Sequence, residues 1–383
     1  MNEKEIGEIR RRVRRDRSNM AAIFGCYVND KKEIVAEFRQ PTGIMSENEA
    51  DRYFGLMKRV LSGTVGKNLV DVTFRTAQVA NSPEHKLLMD LRACALKDDE
   101  LRKAFFRKII DTVSMDDGYL ILAGCDTYDV PFKSNDAMGD SDNADETYTY
   151  VLCAVCPVKQ TKANLHYVAE NKEFHDGGIS QVAMAPALGF LFPAFENRAT
   201  NIYNALFYTK DSALGHEEFV DAMFHVAMPK PAAEQKKSFE ALLMHSLGED
   251  CKLEAVQQVH DQLRQCIELH KESKVKEPLL ISKEQVKDAL TQSGVSEQHV
   301  AKFSVDFDET FGFEAELHPK NIIDNRKFEI KTPDVSIKVA PDRSDLIETR
   351  VIGGVKYILI NAEENVEVNG VSIHIGEGEL ASV

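Results

Sequence analysis

The chain has 383 residues, 43% of them apolar and 28% charged, enough apolar material for two or three packed domains and too much for a disordered tail. Its formal net charge of −15 repels a bare polyanion, so any nucleic-acid contact must be local, and its longest weakly polar run, residues 183–195 with Pro186 and Pro193 inside, is too short for a bilayer. No apolar segment of signal-peptide length follows the charged start, and seven cysteines without a framework spacing read as reduced thiols, so the expectation is a cytoplasmic protein with no membrane contact.

The first element breaks the acidic balance. Ile6, Ile9 and Val13 recur at helical spacing, which predicts an amphipathic helix over 3–17 carrying Arg10, Arg11, Arg12, Arg14, Arg15 and Arg17. Residues 1–20 carry +3, leaving −18 on the rest of the chain. Guanidinium groups match phosphate or carboxylate oxygens in charge and geometry, so the cluster is the one local pointer to a class of partner: RNA or a ribonucleoprotein, or an acidic protein. The competing reading is that the helix docks on its own acidic body or is simply solvated.

A strand is expected over 21–28, a helix over 47–61 capped by Ser46 with Glu49 at capping-box spacing, a strand over 69–74, and helices over 84–95 and 98–113. The chain then turns β-rich, with strands over 119–130, 148–158, 180–185 and 201–209, a polar acidic loop over 133–147 and a glycine pair at Gly177 and Gly178. A helix over 216–226 precedes a hinge at Pro229 and Pro231. Residues 239–271 are helical, broken near Gly248, and Ser282 and Ser296 cap two short helices joined at Gly294. Strands close the chain over 328–332, 335–339 and 350–360, followed by a hairpin over 366–375 around Asn369-Gly370.

Several motifs come close to a known chemistry and fall short. Residues 61–68 (LSGTVGKN) lack the glycine spacing and the Ser or Thr after Lys67 that a phosphate loop needs, so no nucleotide-binding loop is expected. His216 and Glu217 begin like a zinc-protease helix, but Val220 stands where the second histidine belongs. Cys153 and Cys156 fall on opposite faces of one strand and cannot grip one ion. Asp136, Asp140, Asp142, Asp145 and Glu146 do not follow the calcium-loop pattern. No metal or cofactor is therefore expected. Asp126, Asp129, His175, Glu196 and Arg198 all lie near the ends of middle strands; if those ends converge, they form a carboxylate–imidazole acid/base set and the alternative function is a hydrolase. Turn-forming aspartates, an exposed histidine and a structural Glu–Arg pair account for the same residues.

Segments along nearly the whole chain resemble one family: GCYV at 25–28, LSGTVGKNL at 61–69, LKDDELRKAFF at 96–106, DTYDVP at 126–131 and YVLCAVCPV at 150–158, then GFLFPAFENRATNIYNALFYTKD at 189–211, SDLIETRVIGGVKYILI at 344–360 and VEVNGV at 366–371. On these the chain is similar to domain-of-unknown-function family 4317, uncharacterised bacterial proteins. The resemblance implies a soluble protein of Gram-positive bacteria and brings no activity, cofactor or catalytic residue with it.

The expected fold is α+β, a largely antiparallel sheet with flanking helices over 1–228, a helical segment over 229–312 and a small β module over 313–383. The expected function is a cytoplasmic binding or interaction protein that contacts RNA or a ribonucleoprotein through its arginine helix.

Overall fold

A computed structural model describes residues 1–131, 146–162, 165–168, 170–176, 178–214, 216–226, 232–273, 275, 277–313, 315–324, 327–362, 366–368 and 370–373. The acidic run from Asp136 to Asp145, the Pro229 and Pro231 hinge, Gly177 and Asn369 lie outside these residues. The fold is α+β, in two compact units: Met1–Pro231 with Lys276–Pro278, and Ala232–Val275 with Leu279–Val383.

The first unit runs α1 (Glu3–Arg12), β1 (Ala22–Val28), β2 (Ile34–Pro41), α2 (Glu47–Arg59), β3 (Leu69–Thr73), α3 (Thr76–Asn81), α4 (Pro83–Ala93), α5 (Asp99–Thr112), β4 (Tyr119–Val130), β5 (Glu146–Gln160), β6 (Leu165–Val168), β7 (Glu173–Asp176), β8 (Gln181–Ala183), β9 (Leu188–Phe192), β10 (Ala194–Glu196), β11 (Ala199–Asn201), β12 (Asn204–Thr209) and α6 (Glu217–Phe224). Among the described residues an eight-stranded antiparallel sheet has the order β2–β1–β4–β5–β9–β12–β3, with β8 added alongside β5.

Strand alternation sorts the core into two layers. Tyr148, Tyr150, Leu152, Ala154 and Cys156 of β5 pack with Ile6 and Ile9 of α1 and with Ala50, Phe54 and Met57 of α2. Val151, Cys153 and Val155 turn the other way, onto Leu88 and Leu91 of α4, Phe105 and Ile109 of α5, and Phe219 and Phe224 of α6. The sheet is therefore covered by helices on both faces. The two cysteines do lie on opposite faces, and burial pushes the Cys156 thiol up to about 12.

Covering both faces also explains what the periodicity missed. β9 is buried at every position, so it carries no polar alternation and reads only as an apolar run between prolines. β2 is missed for the opposite reason: as an edge strand it is largely exposed, and its residues mix signs and sizes. α1 is shorter than the predicted 3–17. It ends at Arg12, with Val13 as its C-cap, because the chain beyond it is tied to β4: Asn19 donates its backbone N–H to Asp126 and its side-chain amide to the Thr127 carbonyl.

In the second unit α7 (Ala232–Leu247), α8 (Leu253–Ser273), α9 (Lys283–Gln292) and α10 (Glu297–Phe311) enclose a core of Phe239, Leu247, Val259, Leu263, Leu290, Phe303 and Phe307. The short strands β13 (Ile281–Ser282) and β14 (Glu316–Leu317) and the single turn α11 (Pro319–Ile322) join this core. Three hairpins follow: β15 (Phe328–Lys331) with β16 (Ser336–Val339), β17 (Ile347–Ile352) with β18 (Val355–Ile360), and β19 (Val366–Val368) with β20 (Val371–Ile373). Gln257 of α8 donates to the Ser344 and Ile347 carbonyls, and the Phe328 ring meets His260 edge-on, so the start of the hairpin region is anchored to the helices.

Candidate functional site

α1 is built to be anchored at one face and open at the other. Asn2 caps the Lys4 and Glu5 amides while Glu5 accepts from the Asn2 amide, a capping box. Glu3 and Glu5 sit in the first turn and Arg10, Arg11 and Arg12 in the last, each sign at the end where the helix dipole favours it. Ile6, Ile9 and Val13 are buried against the sheet.

The acidic residues complete the docking. The two-residue turn Asn197-Arg198 between β10 and β11 has positive φ at both positions, 50° and 60°, the type I′ geometry of tight hairpins. That turn aims the Asn197 amide at Glu5 and the Arg198 guanidinium at both oxygens of Glu8, 2.8 Å each. Tyr128 donates its hydroxyl to Glu8 at 2.7 Å, and Arg198 also donates to the Pro131 carbonyl. The Met1 ammonium donates to Asp71 and Glu196. Burial acts to lower its pKa, but the two carboxylates outweigh that and hold it at about 10. Arg12 lies 4.1 Å above the Tyr128 ring and donates to the Arg17 carbonyl, so this arginine belongs to the dock.

The other five arginines of the cluster are exposed. Arg14 and Arg17 share Asp16 at 3.0 and 3.9 Å, and Arg15 reaches Glu47 at 3.8 Å. Arg10 and Arg11 have no ion-pair partner among the described residues. Pairs this exposed hold little energy and exchange readily with another anion.

The five residues of the acid/base set divide. Buried Asp126 accepts from the Asn19 and Thr127 amides and the Tyr150 hydroxyl; burial raises its pKa against those hydrogen bonds. Glu196 accepts from Met1, Asn201 and Asn204. Burial acts to raise its pKa, but the ammonium and the amides leave it lowered. Arg198 is held by Glu8. Asp129 accepts from Thr147 at the exposed end of β4, and exposed His175 on β7 lies 3.7 Å from Glu173. Glu196 meets the start of α1 and Asp126 acts on Arg12 at its end; a ten-residue helix rises on the order of 15 Å. Carboxyl groups working on one glycosidic bond stand about 5–9.5 Å apart. The structure thus gathers Glu196 and Arg198 on α1, sets Asp126 at its far end, and leaves His175 on a separate hairpin.

Glu5, Glu8, Tyr128 and Asp71 were not singled out by sequence reasoning. The available signal was Glu5 and Glu8 beside Ile6 and Ile9, which places acidic groups on the apolar flank of an otherwise basic helix. Of the other near-motifs, Gly63 and Gly66, both at positive φ, lie in the turn between α2 and β3, and His216 and His225 bracket α6 in left-handed conformations. No group of three His, Cys, Asp or Glu among the described residues could hold a metal, and no described helix is long and apolar enough to cross a membrane.

The chain belongs to the family described as domain of unknown function 4317, which matches residues 1–371. No curated protein and no solved structure matches the chain.

Proposed function

We propose that the protein is a binding protein of the bacterial cytoplasm whose exposed Arg10, Arg11, Arg14, Arg15 and Arg17 form an anion-binding face for RNA or a ribonucleoprotein. One observation carries this reading: α1 uses Glu5, Glu8 and its apolar side chains for docking, while α1 and the residues just after it leave five guanidiniums in solvent, those of Arg10 and Arg11 without any ion-pair partner among the described residues. A helix needed only for self-docking would have its cations matched by the acidic body. The cytoplasmic assignment draws on seven free thiols, the state a reducing compartment maintains. A hydrolase reading finds Asp126 and Glu196 at opposite ends of α1, each already filled with hydrogen bonds.

The test is an anisotropy titration with single-stranded RNA across a salt series. Binding should weaken with salt by a log–log slope of about 0.7 per phosphate contact. The triple variant Arg11→Glu, Arg14→Glu, Arg15→Glu should retain the circular dichroism of the parent and lose most low-salt binding. Unchanged RNA affinity in a folded triple variant overturns the proposal, and binding of an acidic protein in place of RNA moves the face to the other partner class.

A further inference from the structure

The seven-strand path of the large sheet ends in the edge strands β2 and β3, and they are finished differently. At β3 the Gly66 amide donates to the Leu69 carbonyl and the Leu69 amide to Thr64, so residues 64–66 cover part of the outer side. At β2 no described segment does so. Its pairing with β1 runs from Ala22↔Pro41 to Tyr27↔Ala36, and the Thr42 amide donates to Ala21 in the same register. Residues that exchange hydrogen bonds alternate along an antiparallel pair. Ala36, Phe38 and Gln40 therefore turn their backbone groups toward β1, and Glu37 and Arg39 turn theirs outward.

The strand is held firmly for an edge. The Phe38 ring lies across Gly25, where a Cβ would come within 2.1 Å of it, and packs against Tyr53, while Gln40 donates to Glu49 of α2. Glu37 and Arg39, on the opposite face, are exposed and make no hydrogen bond or ion pair through their side chains among the described residues. Lys103 of α5 attracts Glu37 from beyond ion-pair distance, and the two opposite charges, two residues apart on an open edge, are self-complementary about the residue between them.

We propose that β2 is a self-association edge, on which a second copy of the chain adds its own β2 antiparallel about a two-fold axis at Phe38. In that register Glu37 of each copy faces Arg39 of the other, and these two residues exchange four backbone hydrogen bonds in all. The ladder is bounded: a bulge interrupts the register beyond Tyr27, and Pro41 has no amide to donate. The pairing therefore closes as a symmetric dimer. Ile34 and Val35, 42% and 56% exposed, flank it with apolar surface. The net charge of −15 on each copy opposes association, so the contact belongs to ionic strengths where charges beyond about 8 Å are screened.

Charge exchange tests the register itself. In light scattering of the full chain at physiological salt, the parent should approach twice its monomer mass as concentration rises. Glu37→Arg and Arg39→Glu should each weaken the dimer about tenfold or more, since like charges then face each other twice. An equimolar mixture of the two single variants should form a heterodimer, and the double variant Glu37→Arg, Arg39→Glu should dimerise like the parent. A parent that stays monomeric, single variants that dimerise unchanged, or a mixture that stays monomeric each overturns the proposal. Glu37→Lys replaces Glu37→Arg if the latter fails to fold.

Discussion

β9 and β18 are similar in composition and opposite in circumstance. Leu188–Phe192 is buried at every position, whereas Val355, Tyr357, Ile358 and Ile360 of the ribbon β17–β18 are exposed on both faces. An apolar β-prone run thus specifies a strand without specifying burial, which comes from the helices that cover it. α4, α5 and α6 cover one face of the sheet and α1 and α2 the other, while the ribbon has no such layer among the described residues. Stability should follow coverage rather than composition. Phe190, whose ring contacts Phe105, Phe219 and Phe224, should cost about 3–5 kcal/mol when cut to alanine, measured by urea denaturation. Tyr357→Ala should stay within about 0.5 kcal/mol. Comparable losses at both sites would mean that the ribbon is covered in solution.

The same contrast holds for charge. Glu8 is largely shielded and accepts from Arg198 and Tyr128 at once, whereas Asp16 pairs with arginines that are themselves half in solvent. Glu8→Ala strands the Arg198 guanidinium and the Tyr128 hydroxyl and should cost about 1–3 kcal/mol, with earlier proteolytic cleavage around residues 13–19. Asp16→Ala should be nearly silent in stability. An equally silent Glu8→Ala would show that α1 docks through its apolar face alone.

Acid titration separates the two buried carboxylates by sign. Glu196 has a lowered folded pKa, so its contribution is present above the ordinary glutamate range and is lost as pH falls through the folded value. Asp126 has a raised folded pKa. It favours the native state most below the ordinary aspartate range, and that advantage disappears as pH rises through the folded value. Urea midpoints followed from neutral pH into acid should therefore fall less steeply in Glu196→Gln than in the parent, and more steeply in Asp126→Asn. Parallel curves for all three proteins would contradict both directions.

How much of this was legible depends on what each feature requires. The α+β class, the opposite facing of Cys153 and Cys156 and most helices follow from local periodicity and caps. α1 was legible up to its length, since its end is imposed by Asn19 and Asp126, far apart in sequence. β9 lost its pattern because both faces are buried, and β2 because it is an edge. The site was legible as a cluster of arginines but not as a docked element: the partners of α1 come from residues 71, 128 and 196–198, and sequence distance hides that convergence.

The last expected effect is a local one, at the far end of the chain. Gly370 has φ of +81° between β19 and β20, which pair Val366↔Ile373 and Val368↔Val371. A Cβ there would meet nothing within 4 Å, so Gly370→Val acts through backbone strain alone, about 1–3 kcal/mol at the turn. Val368, Val371 and Ile373 are exposed, so little burial holds this hairpin closed, and a strained turn should open it locally before it loads the rest of the fold. The global urea midpoint should then hardly move, while amide exchange speeds up in β19 and β20. Equal loosening of β4, at Tyr119–Val130, would show that the hairpins and the covered sheet unfold together, and the contrast between covered and uncovered strands would then fail as an account of stability.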